Sequence, residues 1–395
     1  MSETADAVII GGGVIGTSIA YHLARRHFGR IVLLERDTLG SGSTGRSVAT
    51  IDSFTLQKHT VELVARSTVF FQHCEEILGT DCGFIETGSV VLGGPEHENQ
   101  LLTAVQHMQS TDLGVRSLAL RQLEAMEPQI ALDGITAASY APKAGYADPG
   151  MTTNALAGKA RSLGVDVQQG RSVTSLRGTG DRTSGVNTTT GPIMTPLVIV
   201  SAGPWSKELL RSVGINFPLR AVRHPVVSIR RPSGFGPPHP ALLDLTTGIY
   251  ARPETGGLTL LGSLDPRIGH EPTDPNDGPG YVHDDYVLWA MERLLQRYPT
   301  LATSELHKGW SGLMTITPDW QPIIGHWPEL QGLYCASGFS GLGFQISPAT
   351  GDLLSGLITG EAEATRLLAP FNPMRFATGQ LLQTYREDFS HRLLE

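Results

Sequence analysis

The first sixty or so positions set out apolar and polar residues in a readable order. Ala7 to Ile10 is a short, apolar, β-branched run. The cluster Gly11-Gly12-Gly13-Val14-Ile15-Gly16 follows it, and then apolar positions recur at helical spacing from Thr17 to Ala24. The pattern predicts a buried strand, a tight turn and a helix. A second apolar run, Ile31 to Leu34, predicts another buried strand and ends at Glu35. Farther on, strand-like runs such as LVIVSAG and LYCASG alternate with helical patterns such as SIAYHLARRHFG. That alternation argues for an α/β protein. The densest loop signals are Arg230 to Pro240 and Glu271 to Gly280, and no internal repeat is evident.

The opening strand, turn and helix carry chemistry. The glycines form G-x-G-x-x-G in the context that motif needs. Gly11 allows the turn, Gly13 lets backbone approach a pyrophosphate, and Gly16 lets the helix pack closely on the sheet. The N–H groups and dipole at the helix start favour anionic phosphates. Glu35, an acid roughly 20 residues past the glycines, suits the adenosine ribose hydroxyls. This pattern alone does not choose between FAD and NAD.

Composition narrows the picture. The chain has 395 residues, enough for more than one domain, with 40% hydrophobic and 17% charged residues. A formal net charge of -8 leaves no basic footprint for nucleic acid. Cys74, Cys82 and Cys335 are too few for a disulfide framework and fit no metal site, so no metal is expected and a reducing cytoplasm is the natural setting. No signal peptide is read at the N-terminus, and no apolar run is long enough to span a bilayer.

Other segments choose the cofactor. Gly40 to Ser47, GSGSTGRS, offers hydroxyls, glycine and Arg46 as donors for pyrophosphate or flavin. A mid-chain strand runs into Ala202-Gly203-Pro204-Trp205-Ser206. Near the far end stands GFSGLGFQISPATG, with Gly338, Gly341, Gly343 and Gly351 ahead of an apolar helical run. A nicotinamide domain is usually one continuous segment, whereas a cofactor gripped by distant segments is more typical of flavoproteins.

The segments VIIGGGVIG, VLLERD, GSGSTGRSVA, VIVSAGPWS, GIYARP, GLMTITPDWQPIIG and GFSGLGFQISPATG occur together in one order. As a set they resemble the D-amino-acid oxidase superfamily of flavoproteins, in its sarcosine oxidase and amine dehydrogenase-like branch, over nearly the whole chain. The resemblance implies an α/β fold with a discontinuous Rossmann-type FAD-binding domain, residues 1–85, 147–217 and 313–395, and a substrate domain with a mostly antiparallel β-sheet, residues 86–146 and 218–312. It assigns FAD contacts to Gly11, Gly13, Val14, Ile15, Gly16, Glu35, Arg36, Ser43, Thr44, Arg46, Ser47, Val173, Ala202, Gly203, Trp205, Gly312, Gly338, Gly341, Leu342, Gly343, Phe344 and Gln345. The C-terminal loop would close on the isoalloxazine, its helix start stabilising the anionic reduced ring. The implied chemistry is oxidation of a C–N bond, with hydride leaving a neutral amine for FAD and an imine forming. Positioning and a dry site do most of that catalysis, so no triad or carboxylate pair is needed.

Departures from the family pattern shape the expected substrate. Gln345 stands where a carboxylate-binding Lys is common, and Met314 where amino-acid-oxidising relatives often carry Arg. Gln donates hydrogen bonds without charge. These two losses point away from a small amino acid and towards a larger or less acidic secondary or tertiary amine, or an N-substituted amino acid. Arg223 or Arg252 could still meet a carboxylate. The lysine credited with oxygen activation would fall at Thr259 or Leu260, neither cationic, which slightly favours a dehydrogenase passing electrons to another acceptor over an oxidase using oxygen. A flavin-linking cysteine aligns with Gly312, so FAD is expected to be noncovalent; a covalent link at His59 is the minor alternative.

Tyr250 and Gln345 are the expected catalytic residues, and Tyr250, Arg252, Met314 and Arg223 the expected substrate contacts. His224 reads as structural or exposed. Asp319 and Pro322 shape a turn that delivers backbone to the flavin edge. The competing class is an FAD-binding subunit without catalysis that docks to partners.

Overall fold

The computed structural model of the protein describes residues 3–278 and 280–382. Pro279 in the second expected substrate segment, and residues 1–2 and 383–395 of the expected FAD-binding segments, lie outside the described residues.

The apolar runs become a six-stranded sheet. Its order is Asp166–Gln168, Ile31–Leu34, Ala7–Ile10, Val198–Val200, Leu333–Ser337 and Ile323–His326. The first five strands are parallel and the last is antiparallel. Ala7–Ile10 and Ile31–Leu34 are buried at every position, as expected of parallel strands covered on both faces. Helices Val14–Arg25 and Ser347–Thr359 pack on each other over this sheet. A Cβ at Gly351 would run into Ser18, so this glycine serves helix packing and not the loop ahead of it.

The second body is a nine-stranded sheet, ordered Glu271–Pro272, Arg220–Arg230, Leu258–Ser263, Ile249–Glu254, Ala241–Asp244, Ser89–Gly93, Ala137–Ala141 and Arg116–Ser117, with Glu305–Ile316 also paired to Arg220–Arg230. Only Ala241–Asp244 with Ser89–Gly93 is a parallel pair, so the sheet is mostly antiparallel. Helix Asp284–Arg297 covers it. At the end of that helix Arg297 Nε meets Asp244 Oδ2 at 2.5 Å, both side chains buried. Strand Glu305–Ile316 crosses the expected boundary at residue 312.

Two features go beyond what the sequence showed. Residues 173–194 form a meander that joins Glu3–Thr4 in a separate four-stranded sheet. Cys74 and Cys82 are joined as a disulfide across Cα atoms 6.2 Å apart, a single bridge where three cysteines are too few for a disulfide framework. The short helix Cys74–Leu78 ends at Gly79 with φ of 77°, which turns the chain back towards its start. Cys335 is free and buried. No helix among the described residues is long and apolar enough to cross a membrane, and no group of His, Cys, Asp and Glu among them could hold a metal ion.

Candidate active site

One cavity of about 1100 Å³ runs between the two bodies. Both glycine segments line it, the first at Gly11, Gly13, Val14 and Ile15 and the last at Gly338 and Gly341 to Gln345. It is larger than a site for a small ligand alone, which suits an extended dinucleotide plus a substrate.

The N-terminal part is a backbone cradle. Gly11 has φ of 108°, and a Cβ there would press on Ser201 O. Gly16 does not line the cavity. It packs on Gly11 and Ser201, the close helix–sheet contact expected of the third glycine. Glu35 faces the cavity with its carboxylate held by backbone: Gly12 N–H donates to Oε2 at 2.7 Å and Asp37 N–H to Oε1 at 2.9 Å. Val14 N–H donates to Thr44 Oγ1 at 3.1 Å. Neither the helix beginning at Val14 nor the one beginning at Ser347 has a side-chain cap at its N-cap residue; at the second, the Ser347 N–H donates to Phe344 O at 3.2 Å and the Ala349 N–H to Ser67 Oγ at 3.1 Å, whereas the start of the first lies on the cavity wall. Ser43 Oγ lies buried on the cavity wall without a hydrogen-bond partner. This donor set, small and neutral with the start of the Val14 helix on the wall, fits a pyrophosphate-bearing cofactor.

Arg36, Ser47, Val173, Ala202, Gly203, Trp205 and Gly312 also line the cavity. The Arg36 guanidinium stacks 3.8 Å from the Trp205 ring centroid. Arg46 folds back on its own loop, donating to Ser41 O and to Gly42 O. Trp310 Nε1 donates to Arg46 O at 2.9 Å, so the loop is pinned to the strand that carries Gly312.

At the substrate-sheet side, Tyr250, Met314 and Gln345 line the cavity as expected. Burial and neighbouring Tyr286 push the Tyr250 phenol well above its ordinary pKa, so it stays protonated. His224, read from sequence as structural, lines the cavity too, its Nε2 2.9 Å from the Tyr250 hydroxyl. His270 packs 4.8 Å from the His224 ring and 5.8 Å from Trp320.

Other expected residues fall elsewhere. Arg252 is buried outside the lining, its Nε donating to Val48 O at 2.5 Å, Nη1 to Pro253 O and Nη2 to Glu254. With every arm engaged, and its face over Tyr146, it braces the backbone just past the Gly40–Ser47 loop, away from the cavity. Arg223 also lies outside the lining, 3.6 Å from Glu271 on the edge strand. Thr259 is buried against His239 and Arg231, and the segment GGLTLLGS reaches the cavity at Ser263 instead. His59 is exposed and off the cavity.

Sequence reasoning missed Asp52, His270 and Trp320, all on the cavity wall. Asp52 follows shortly after the Gly40–Ser47 loop, and an acid just past that loop was its one signal. Its N–H donates to Gln345 Oε1 at 3.2 Å, and its Oδ1 is buried without a partner. Burial pushes its carboxyl up to about 7, against a smaller opposing effect of the Thr50 hydroxyl.

A family model described as FAD dependent oxidoreductase, DAO, matches residues 6–357. The chain is 29% identical over 367 residues to the mitochondrial sarcosine dehydrogenase of Homo sapiens, covering 90% of this chain and 40% of that protein. The chain thus spans about two fifths of the length of the sarcosine dehydrogenases it matches. It is 28% identical to glycine oxidase of Geobacillus kaustophilus, covering 95% of this chain and 98% of that one. Among solved structures, L-proline dehydrogenase from P. horikoshii superposes with a TM-score of 0.86 at 25% identity, over 96% of this chain and 99% of that one.

Proposed function

The chain belongs to the DAO family of FAD-dependent oxidoreductases, and on that premise we propose that it oxidises the C–N bond of a secondary or tertiary amine, or of an N-substituted amino acid, to an imine. Bound FAD supplies a two-electron acceptor. The substrate must present a neutral nitrogen. Its lone pair forms the C=N bond as the adjacent C–H bond breaks and the hydride departs.

The protein's own residues orient and enclose. Met314 and Trp320 give the cavity apolar walls, and the buried walls keep water from the reacting carbon. The Tyr250 hydroxyl, fixed by His224, is a neutral hydrogen-bonding group on the wall. Names of relatives support the reaction class: sarcosine, glycine and L-proline are all amines with a hydrogen on the carbon beside nitrogen. The observation that carries the reading is the single cavity walled by both glycine cradles and by the Tyr250–His224 pair.

The test is anaerobic mixing of FAD-loaded protein with a panel of N-methyl amines and amino acids, read by flavin absorbance. The colour should bleach with at least one of them. A panel that bleaches nothing overturns the proposal. Recolouring in air, fast or slow, then separates an oxidase from a dehydrogenase, and acid should release the flavin.

A further inference from the structure

We infer that the substrate end of the cavity recognises positive charge: Asp52 is the counter-ion for a second, non-reacting ammonium group, so the amine oxidised here is a diamine or polyamine. The inference rests on the amine-oxidation reading above and names its substrate class.

Asp52 is built into place. It follows the two-residue strand Thr50–Ile51, between Ala49 and Ser53, both in the left-handed region with φ of 52° and 51°. Such conformations are uncommon outside glycine and hold only where the surroundings enforce them. The hydrogen bond from Asp52 N–H to Gln345 ties this segment to the C-terminal loop. The carboxyl group sits on the wall of the same cavity as Gln345 and Tyr250.

Charge on the wall is lopsided. Oδ1 of Asp52 is buried and accepts no hydrogen bond. The arginines that line the cavity each hold a partner on the protein: Arg36 stacks on Trp205 and donates Nε to Asp37, Arg46 donates Nη1 to its own loop carbonyls, and Arg171 donates to Glu3, Gln168 and Thr188. A substrate cation therefore meets a buried carboxylate oxygen, Asp52 Oδ1, that accepts no hydrogen bond from the protein. A buried carboxylate oxygen without a donor is costly, and a bound ammonium offsets that cost with a charge-assisted hydrogen bond. That ammonium cannot be the reacting nitrogen, whose lone pair must be free for the C=N bond. The charge must sit on a second nitrogen.

The test uses FAD-loaded protein without oxygen and three ligands of equal chain length: N-methylputrescine, N-methylbutylamine and the corresponding N-methyl ω-amino acid. Binding is read by calorimetry and by perturbation of the flavin spectrum, and turnover by bleaching. The diamine should bind about tenfold or more tighter than the monoamine, with the carboxylate weakest. In Asp52→Asn and Asp52→Ala, checked for full flavin content, that preference should shrink to within about threefold. Tightest binding of the carboxylate, no binding of the diamine, or an unchanged preference in a flavin-replete variant would each overturn the inference. Asp52-dependent diamine binding without bleaching by it or by any amine of the wider panel keeps Asp52 as the cation site but overturns both its assignment to an oxidised diamine and the amine-oxidation reading. Bleaching without Asp52 dependence sustains that reading and overturns the inference.

Discussion

His224 Nε2 and the Tyr250 hydroxyl stand 2.9 Å apart on the cavity wall, their rings stacked with centroids 5.9 Å apart and planes 22° from parallel. They come from strands Arg220–Arg230 and Ile249–Glu254, which do not pair; Leu258–Ser263 lies between them. The reach is possible because Gly262 is opposite both Tyr250 and Val226, and a side chain there would fill the space that the tyrosine crosses. Tyr250→Phe should slow anaerobic flavin bleaching roughly tenfold, the worth of one hydrogen bond made to the reacting complex. Gly262→Ala should bring a comparable loss with the hydroxyl still present. Stopped-flow absorbance of both variants decides it, and wild-type rates in the two would remove the pair from the chemistry.

The Asp319 carboxylate grips Arg375 in a two-point contact, Oδ2 to Nε at 2.8 Å and Oδ1 to Nη2 at 3.0 Å, with both side chains buried. Thr317 Oγ1 and the N–H groups of Gln321 and Leu382 donate to the same carboxylate. The network fixes the turn that presents Trp320, at φ of 57°, to the cavity. Arg375→Met leaves that carboxylate buried without its cation and should cost about 3–5 kcal/mol in urea unfolding, together with weaker FAD retention. Arg66→Ala, which breaks two surface pairs, should cost only about 0.5 kcal/mol.

What could be read beforehand follows from which interactions are local. Gly11, Gly13 and Glu35 were legible because a strand buried on both faces, a turn and a helix start occupy one short stretch. The sheet over the cavity was legible as a type but not strand by strand. Arg252 looked available for substrate because sequence gives its charge and not the carbonyls of Val48 and Pro253 that fold around it. Asp244 with Arg297 and Asp319 with Arg375 are separated by 53 and 56 residues, so nothing adjacent announces either pair. Asp52 depends on left-handed turns at Ala49 and Ser53, residues that carry no signal for them.

His239 should give the fold a measurable sensitivity to acid. Its Nδ1–H donates to Pro240 O at 2.7 Å, and its Nε2 accepts from Thr259 Oγ1 at 2.9 Å, an arrangement that fixes the neutral ring. Burial, above all, pushes its pKa down to about 4, below the ordinary histidine value. Above about pH 6.5 neither the folded nor the unfolded chain protonates this ring, and its contribution is flat. Between about 6.5 and 4 the unfolded chain takes up a proton that the folded one refuses, so stability falls as pH falls. The full loss is about 3 kcal/mol. Urea midpoints at pH 7.5 and 4.5 should differ less in His239→Asn than in the wild type, and equal differences would reject the assignment.

Thiol counting separates the three cysteines. Burial in the strand Leu333–Ser337 pushes the Cys335 thiol up to about 12, so almost none is thiolate at pH 8, and the thiolate is the reactive form. Cys74 and Cys82 are bonded to each other. Native protein should therefore show no fast reaction with an aromatic disulfide reagent. Protein unfolded without reductant should show one thiol, from Cys335, and after reduction all three. The bond closes a loop with a sequence separation of 8, which limits its stabilisation to about 2–3 kcal/mol by the chain-entropy relation. Reductant should lower the unfolding free energy by that amount without bleaching or releasing the flavin, because neither cysteine lines the cavity. Three thiols without reductant would show that Cys74 and Cys82 remain separate in the folded protein.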